Sequence, residues 1–156
     1  MPPYISRTDL NSTTTYTYYN CTTGTQCGHV ATITDALGHV TTFNTYNAYG
    51  QPLTITDPNG VVKTLTYDLR ERLTSSKVGT ETTTYAYYPT GLLQTVTLPD
   101  GSTMSHTYDG AHRLTDITDG LGNHIHYTLD AMGNRTSQSA LDPSNTLSFT
   151  RSRVYN

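Results

Sequence analysis

The stretch 105–122, SHTYDGAHRLTDITDGLG, decides how the rest of the chain is read. It runs a Tyr-Asp pair into Arg113-Leu114, then Ile117, then a closing glycine. Related stretches stand one and two repeats earlier, TTYAYYPTGLLQTVTLPDG at 83–101 and KTLTYDLRERLTSSKVG at 63–79. Aligned on the aspartate, Asn20, Asn47, Asp68, Tyr88, Asp109 and Asp130 form one column, spaced 21, 20, 21 and 21 residues from Asn47 onward. The preceding column is Tyr19, Tyr46, Tyr67, Tyr87, Tyr108 and Leu129. Leu73, Leu93 and Leu114 stand five positions after the aspartate column, with Pro52 and Arg135 as exceptions. Gly38, Gly60, Gly79, Gly101 and Gly122 close the repeats. Self-similarity at this period marks a repeat array.

Each repeat reads as two strands and two turns. In GVVKTLTYDLRERLTSSKVG, Val61, Lys63, Leu65 and Tyr67 alternate with Val62, Thr64 and Thr66, the period of a strand. Four-residue turns follow: NAYG, DLRE, YPTG, DGAH and DAMG. An Asn or Asp at the first position can accept from the backbone two residues on, and Gly tolerates positive φ. A second strand then leads to a DPNG, LPDG or DGLG turn. A lone hairpin is only marginally stable in water, so each repeat must bury a face against its neighbours. Tyrosine suits that seam, because its ring packs flat while its hydroxyl reaches a partner. On this reading Tyr108→Ala is far more damaging than Thr107→Ser, by about 3–5 kcal/mol for the emptied seam.

The columns divide the chain into a lead-in at 1–14, a first repeat at 15–38, and repeats at 39–60, 61–79, 80–101 and 102–122. Residues 123–156 hold one more repeat and the start of a further, truncated one. Composition agrees with an all-β chain: 33 threonines and 13 tyrosines offset a low total of 28 Leu, Ile, Val and Phe. A net charge of −3 offers no basic stripe for nucleic acid. No stretch approaches the roughly 20 apolar residues of a membrane helix, and MPPYISRTDL shows no signal peptide. The terminal SFTRSRVYN reads like the opening of another repeat, so the chain is expected to be a piece of a longer reading frame.

The first repeat is longer. Ile33 follows Asn20 by 13 positions where Ile117 follows Asp109 by eight. The five extra residues match TTGTQ between Cys21 and Cys27. The cysteines flank a hairpin tip, where opposed strands can hold them within disulfide range. A disulfide would suit an oxidising compartment; two reduced thiols are the alternative reading.

A closing Gly, a strand, Tyr-Asp, a short turn, Arg-Leu, a second strand and Pro-Asp-Gly together resemble the YD repeat of Rhs proteins. That family includes bacterial Rhs polymorphic toxins, wall-associated relatives, the B and C components of insecticidal toxin complexes, and the extracellular teneurins. Tyr108, Asp109, Arg113, Leu114 and Gly122 stand on motif positions, whereas the repeats at Asn47 and Tyr88 lack the aspartate and arginine. The NCTTGTQCG insertion also resembles a segment of Rhs proteins. The resemblance covers residues 15 to 156. It implies a slice of a spiralling β-sheet shell that encloses a C-terminal toxin or cargo, in a parent protein that is secreted or displayed at the cell surface. Neighbouring YD repeats are the implied partners.

No catalytic residues are expected. Asp57, Asp100 and Asp119 recur once per repeat, which marks structure, and the Asp-Pro pairs are turns. No nucleophile elbow surrounds any serine. His124 and His126 share a strand face, with His106 and His112 one repeat earlier, yet no acidic or thiol partner is placed by spacing, so neither metal nor cofactor is expected. A carbohydrate- or cell-surface-binding module is the second reading, with Tyr49 and Tyr88 at turns as sugar-stacking residues.

Overall fold

The computed structural model describes residues 5–9 and 12–154, with side chains from Thr13 onward. Residues 1–4, 10 and 11 of the lead-in and 155 and 156 of the truncated repeat lie outside the described residues. The chain divides into two compact units, Met1–Thr82 and Thr83–Asn156. Every strand in both pairs antiparallel with its sequence neighbour, the arrangement that short hairpin turns permit. Among the described residues there is no helix, hence none long and apolar enough to cross a membrane.

The first unit contains β1 (Ile5–Asp9), β2 (Ser12–Tyr18), β3 (Val30–Thr34), β4 (Val40–Tyr46), β5 (Pro52–Thr56), β6 (Val62–Tyr67) and β7 (Leu73–Val78). The second contains β8 (Glu81–Tyr87), β9 (Leu93–Thr97), β10 (Thr103–Tyr108), β11 (Leu114–Asp119), β12 (His124–Leu129), β13 (Arg135–Leu141) and β14 (Leu147–Ser152). Threonine and tyrosine dominate these segments because a branched or aromatic Cβ packs well on a pleated surface.

The register separates two faces. In the second unit Tyr85 pairs Val96 and His106 pairs Ile117 on one face; in the first, Tyr16 pairs Ile33 and Phe43 pairs Ile55 on one. On the other, Thr17 pairs Thr32, Thr32 pairs Thr42, and Thr42 pairs Thr56. Thr17 and Thr32 hydroxyls lie 2.6 Å apart, as do those of Thr45 and Thr54. Most tyrosines share a face with the aliphatics, and the other is largely hydroxyl-bearing. Alternation along the regular stretches of each strand enforces that separation.

The core is thin. Among the described residues Tyr46, Leu65 and Tyr127, each 7% exposed, are its buried members, and no side chain is wholly sealed. With so few buried side chains, stability is spread over many half-buried seams.

A β-bulge recurs beside the tyrosine column. Thr17 and Tyr18 face Thr32 and Val30, leaving Ala31 unpaired. Leu53, Thr74, Gln94, Thr115 and Thr136 are skipped in the same way beside Tyr46, Tyr67, Tyr87, Tyr108 and Leu129. The skipped threonines use their hydroxyls: Thr115 donates to the Thr107 carbonyl at 3.2 Å and Thr136 to that of Thr128 at 3.1 Å. The bulge shifts alternation by one residue, which puts the leucine column on the tyrosine face.

Candidate functional site

The repeated feature with defined chemistry is the Tyr-Asp turn and the seam it closes. Asn47 N–H donates to the Gln51 carbonyl at 2.9 Å, and Gly50 N–H donates back to the Asn47 carbonyl at 3.1 Å. The same two bonds form at Asp68, Tyr88, Asp109 and Asp130. This is a three-residue hairpin loop whose last member is left-handed. Gly50, Gly91 and Gly133 supply that residue; Glu71 and His112 adopt it at φ 65° and 64° without glycine.

The side chain at the head of the turn ties it down. Asp109 Oδ1 accepts from Ala111 N–H and Arg113 N–H, both at 2.9 Å. Asn47, Asp68 and Asp130 accept equivalent pairs. The other oxygen binds the side chain four residues on: Arg72 Nη2 lies 2.6 Å from Asp68 Oδ2, and Arg113 Nε donates to Asp109 Oδ2 at 2.7 Å. Asn134 donates to Asp130 in the same way.

That fourth residue also reaches the next repeat. Arg113 Nη1 donates to the Asp130 carbonyl at 2.9 Å, and Gln51 Nε2 to the Glu71 carbonyl at 2.6 Å. The tyrosines make the complementary link backwards. Tyr46, Tyr67 and Tyr108 hydroxyls donate to the carbonyls of Val30, Pro52 and Leu93 at 2.7, 3.0 and 3.0 Å. Tyr67, Tyr87 and Tyr108 pair across the strands with Leu73, Leu93 and Leu114. Phenols at Tyr46, Tyr67 and Tyr108 and donor side chains at Gln51 and Arg113 thus bolt neighbouring repeats together.

At the opposite strand ends, Gly38, Gly60, Gly101 and Gly122 are all left-handed, at φ between 82° and 90°. Gly79 is not their equivalent. It opens a two-residue turn with Thr80, between Val78 and Glu81, and that missing residue accounts for the 20-residue spacing. Asp100 likewise departs from Asp57 and Asp119: Leu98 heads its turn, while Asp100 sits at the tip and accepts from Ser102.

The first repeat needs a correction. Tyr19 N–H donates to the His29 carbonyl and Gly28 N–H to the Tyr19 carbonyl, both at 3.0 Å. Tyr19, not Asn20, therefore occupies the aspartate column, and Tyr18, opposite Val30, occupies the tyrosine column. Eight residues separate Tyr19 from Gly28 where two separate Asn47 from Gly50, so the insertion is six residues rather than five. The identities Tyr19 and Asn20 imitate the Tyr-Asp pair, and only the hydrogen bonds reveal the offset. Tyr19 then matches Tyr88, and both hydroxyls reach the next repeat, at the Phe43 carbonyl (2.6 Å) and the His106 carbonyl (3.1 Å).

Cys21 and Cys27 are joined by a disulfide. The loop it closes lies over the second repeat: Thr25 Oγ1 donates to the Tyr46 carbonyl at 2.6 Å, and His29 stacks on the Tyr46 ring at 4.8 Å.

The histidines do not converge. His106 lies on the tyrosine face, while His124 and His126 lie on the other. His126 Nδ1 has a carboxylate partner that spacing did not reveal, Asp116 Oδ1 at 2.7 Å across the strands. Among the described residues no group of three or more His, Cys, Asp or Glu could hold a metal ion.

These bonds depress the turn carboxyls. Side-chain bonding from Arg72 lowers Asp68, the Arg113 backbone N–H lowers Asp109, and Asn123 and Asn134 lower Asp119 and Asp130. A carboxyl whose folded pKa lies below its unfolded value contributes stability above the unfolded value, about 4, and loses it as pH falls through the folded one. The melting temperature is therefore expected to hold from pH 7 to about 5 and fall steeply below 4. Asp109→Asn, which keeps the Oδ1 acceptor, should flatten part of that acid limb in thermal melts. An unchanged acid limb would remove Asp109 from the account.

A family model described as Teneurin YD-shell matches residues 6–139. No curated protein matches the sequence. Among solved structures, the one described as the crystal structure of TcdB2-TccC3-TEV is similar at a TM-score of 0.63 and 19% identity, over 93% of this chain and 10% of that one. TcdB2-TccC3-Cdc42 is similar at 0.60 and 17%, over 89% of this chain and 8% of that one. The chain thus spans about a tenth of the solved chains it resembles.

Proposed function

Because the chain belongs to the Teneurin YD-shell family, we propose that it is a wall segment of a YD-repeat shell that encloses a C-terminal toxin or other cargo for delivery to competing or host cells. A shell-type structural role follows from the family itself. The enclosing role is supported by the chain's design, in which side chains at the Tyr-Asp turns bond the backbone of neighbouring repeats as well as their own turn. Arg113 to Asp130 and Tyr108 to Leu93 are the bonds that carry this reading. Such a wall works by continuity, because stacked hairpins leave few unpaired edges. Secretion or surface display of the parent protein belongs to the same proposal.

Limited proteolysis of the full-length parent tests it. Sequence beyond the repeats should resist protease there and be cut rapidly when expressed apart; equal cutting rates end the enclosing proposal.

A glycan-binding role has one specific support. Tyr49, 65% exposed, borders a groove of about 460 Å³ that also takes in Asn47, Tyr67 and Asp68. Tyr88 borders a similar one of about 320 Å³ with Tyr108 and His112. Retention on a glycan array that disappears in Tyr49→Ala and Tyr88→Ala would favour the module over the wall.

A further inference from the structure

Three of the chain's nine cationic residues gather at one place. Arg135, Arg151 and Arg153, with Ser137 and Gln138, line a polar cavity of about 40 Å³ between β13 and β14. We propose that this cluster is a binding site for a tetrahedral, multiply charged oxyanion, inorganic phosphate or a phosphate monoester. The proposal is independent of the shell reading.

The backbone gathers the arginines. Arg151 pairs with Gln138, and Arg153 N–H donates to the Thr136 carbonyl at 2.8 Å, so both side chains share the Gln138 face. Simple alternation would send Arg135 to the opposite face. The bulge at Thr136 reverses that and turns Arg135 toward Arg151 and Arg153. Its guanidinium carbon then rests over the Tyr127 ring, 3.6 Å from the centroid.

Two comparisons within the chain mark the cluster as unusual. Arg72 and Arg113 are each neutralised by an aspartate four residues back. Among the described residues, no carboxylate pairs with Arg135, Arg151 or Arg153. Arg135 also stands in the column that Leu73, Leu93 and Leu114 occupy elsewhere, so a packing position has been given to a cation. Three guanidinium groups repel one another when unpaired. A dianion with several acceptor oxygens compensates them and matches their planar, paired N–H donors. A monocarboxylate leaves most of the charge uncompensated.

Calorimetric titration of the whole chain with sodium phosphate, at ionic strength held constant with sodium chloride, tests the site. The expected result is saturable binding of one phosphate per chain, far weaker binding of acetate, and a loss of roughly tenfold in affinity for each arginine removed. Arg151→Gln with Arg153→Gln is the variant of choice, because both residues are exposed and neither packs on Tyr127. Lys63→Gln with Lys77→Gln removes the same charge elsewhere and should bind as the parent does. Absence of saturable binding, equal affinity in the arginine variant, or equal weakening in the lysine variant each overturns the proposal. Phenyl phosphate in a parallel titration separates the two sources: binding equal to phosphate admits an ester, and none confines the site to the free ion.

Discussion

Tyr46→Ala is expected to destabilise the chain by about 3–5 kcal/mol, the range for emptying a buried aromatic site. Tyr46 is 7% exposed, its ring lies against His29 at 4.8 Å and Phe43 at 6.4 Å, and its hydroxyl donates to Val30. Truncation therefore removes the ring, leaves the Val30 carbonyl without this donor, and undercuts the disulfide loop above. Urea denaturation should show the midpoint fall, with a drop of roughly 10 °C in Tm if about 3 °C corresponds to 1 kcal/mol. Tyr46→Phe isolates the hydroxyl and should cost about 1 kcal/mol. Tyr49→Ala is the control, since an exposed side chain changes stability by about 0.5 kcal/mol or less. Equal midpoints for Tyr46→Ala and Tyr49→Ala would mean that the tyrosine seam does not hold the repeats together.

Gly50→Ala should come second in size, for two separable reasons. Gly50 is left-handed at φ 78°, a conformation that costs an L side chain about 1–2 kcal/mol. A methyl group there would also stand 2.6 Å from Cε1 of His29, whose ring is held against Tyr46. Relieving that contact means moving the stack, an overpacking cost of about 1–3 kcal/mol. Gly38→Ala provides the reference: φ is 83° and open space surrounds the new methyl, so only the backbone cost should appear. The difference between the two variants measures the close approach. Adding His29→Ala to Gly50→Ala should recover part of it, whereas a purely additive double variant would show that His29 plays no part.

Both predictions concern residues that the sequence exposes unequally. The Tyr-Asp and closing-glycine columns were visible because their causes are local. An aspartate heading a turn binds the two N–H groups beside it, and a left-handed backbone asks for glycine, wherever the repeat finds itself. Asp109, Asp130, Gly101 and Gly122 behave as local chemistry requires. The strands were visible for the same reason, since alternation is a property of the pleat. Arg113 was part of the visible motif, but its second bond, to the Asp130 carbonyl, depends on a repeat 17 residues away.

Several readings failed where a local imitation met a non-local requirement. Asn20 looks like the aspartate column because Tyr19 precedes it, yet the hairpin across the Cys21–Cys27 loop closes at Tyr19. Gly79 and Asp100 match their columns in identity and miss them in geometry. The recurring bulge left no mark in composition, because Ala31, Leu53, Thr74, Gln94, Thr115 and Thr136 share no chemical type.

What the amino-acid order determined by itself was a row of β-hairpins about 21 residues apart, each with its own turn chemistry. Short-range hydrogen bonding and side-chain alternation suffice for that. What only the tertiary structure decided was how the hairpins join: which carbonyl each tyrosine meets, where the register slips, and which face each side chain takes after the slip. A one-residue bulge inverts every later side chain without altering the pattern that announces the strand. The arginine cluster of β13 and β14 owes its existence to that inversion.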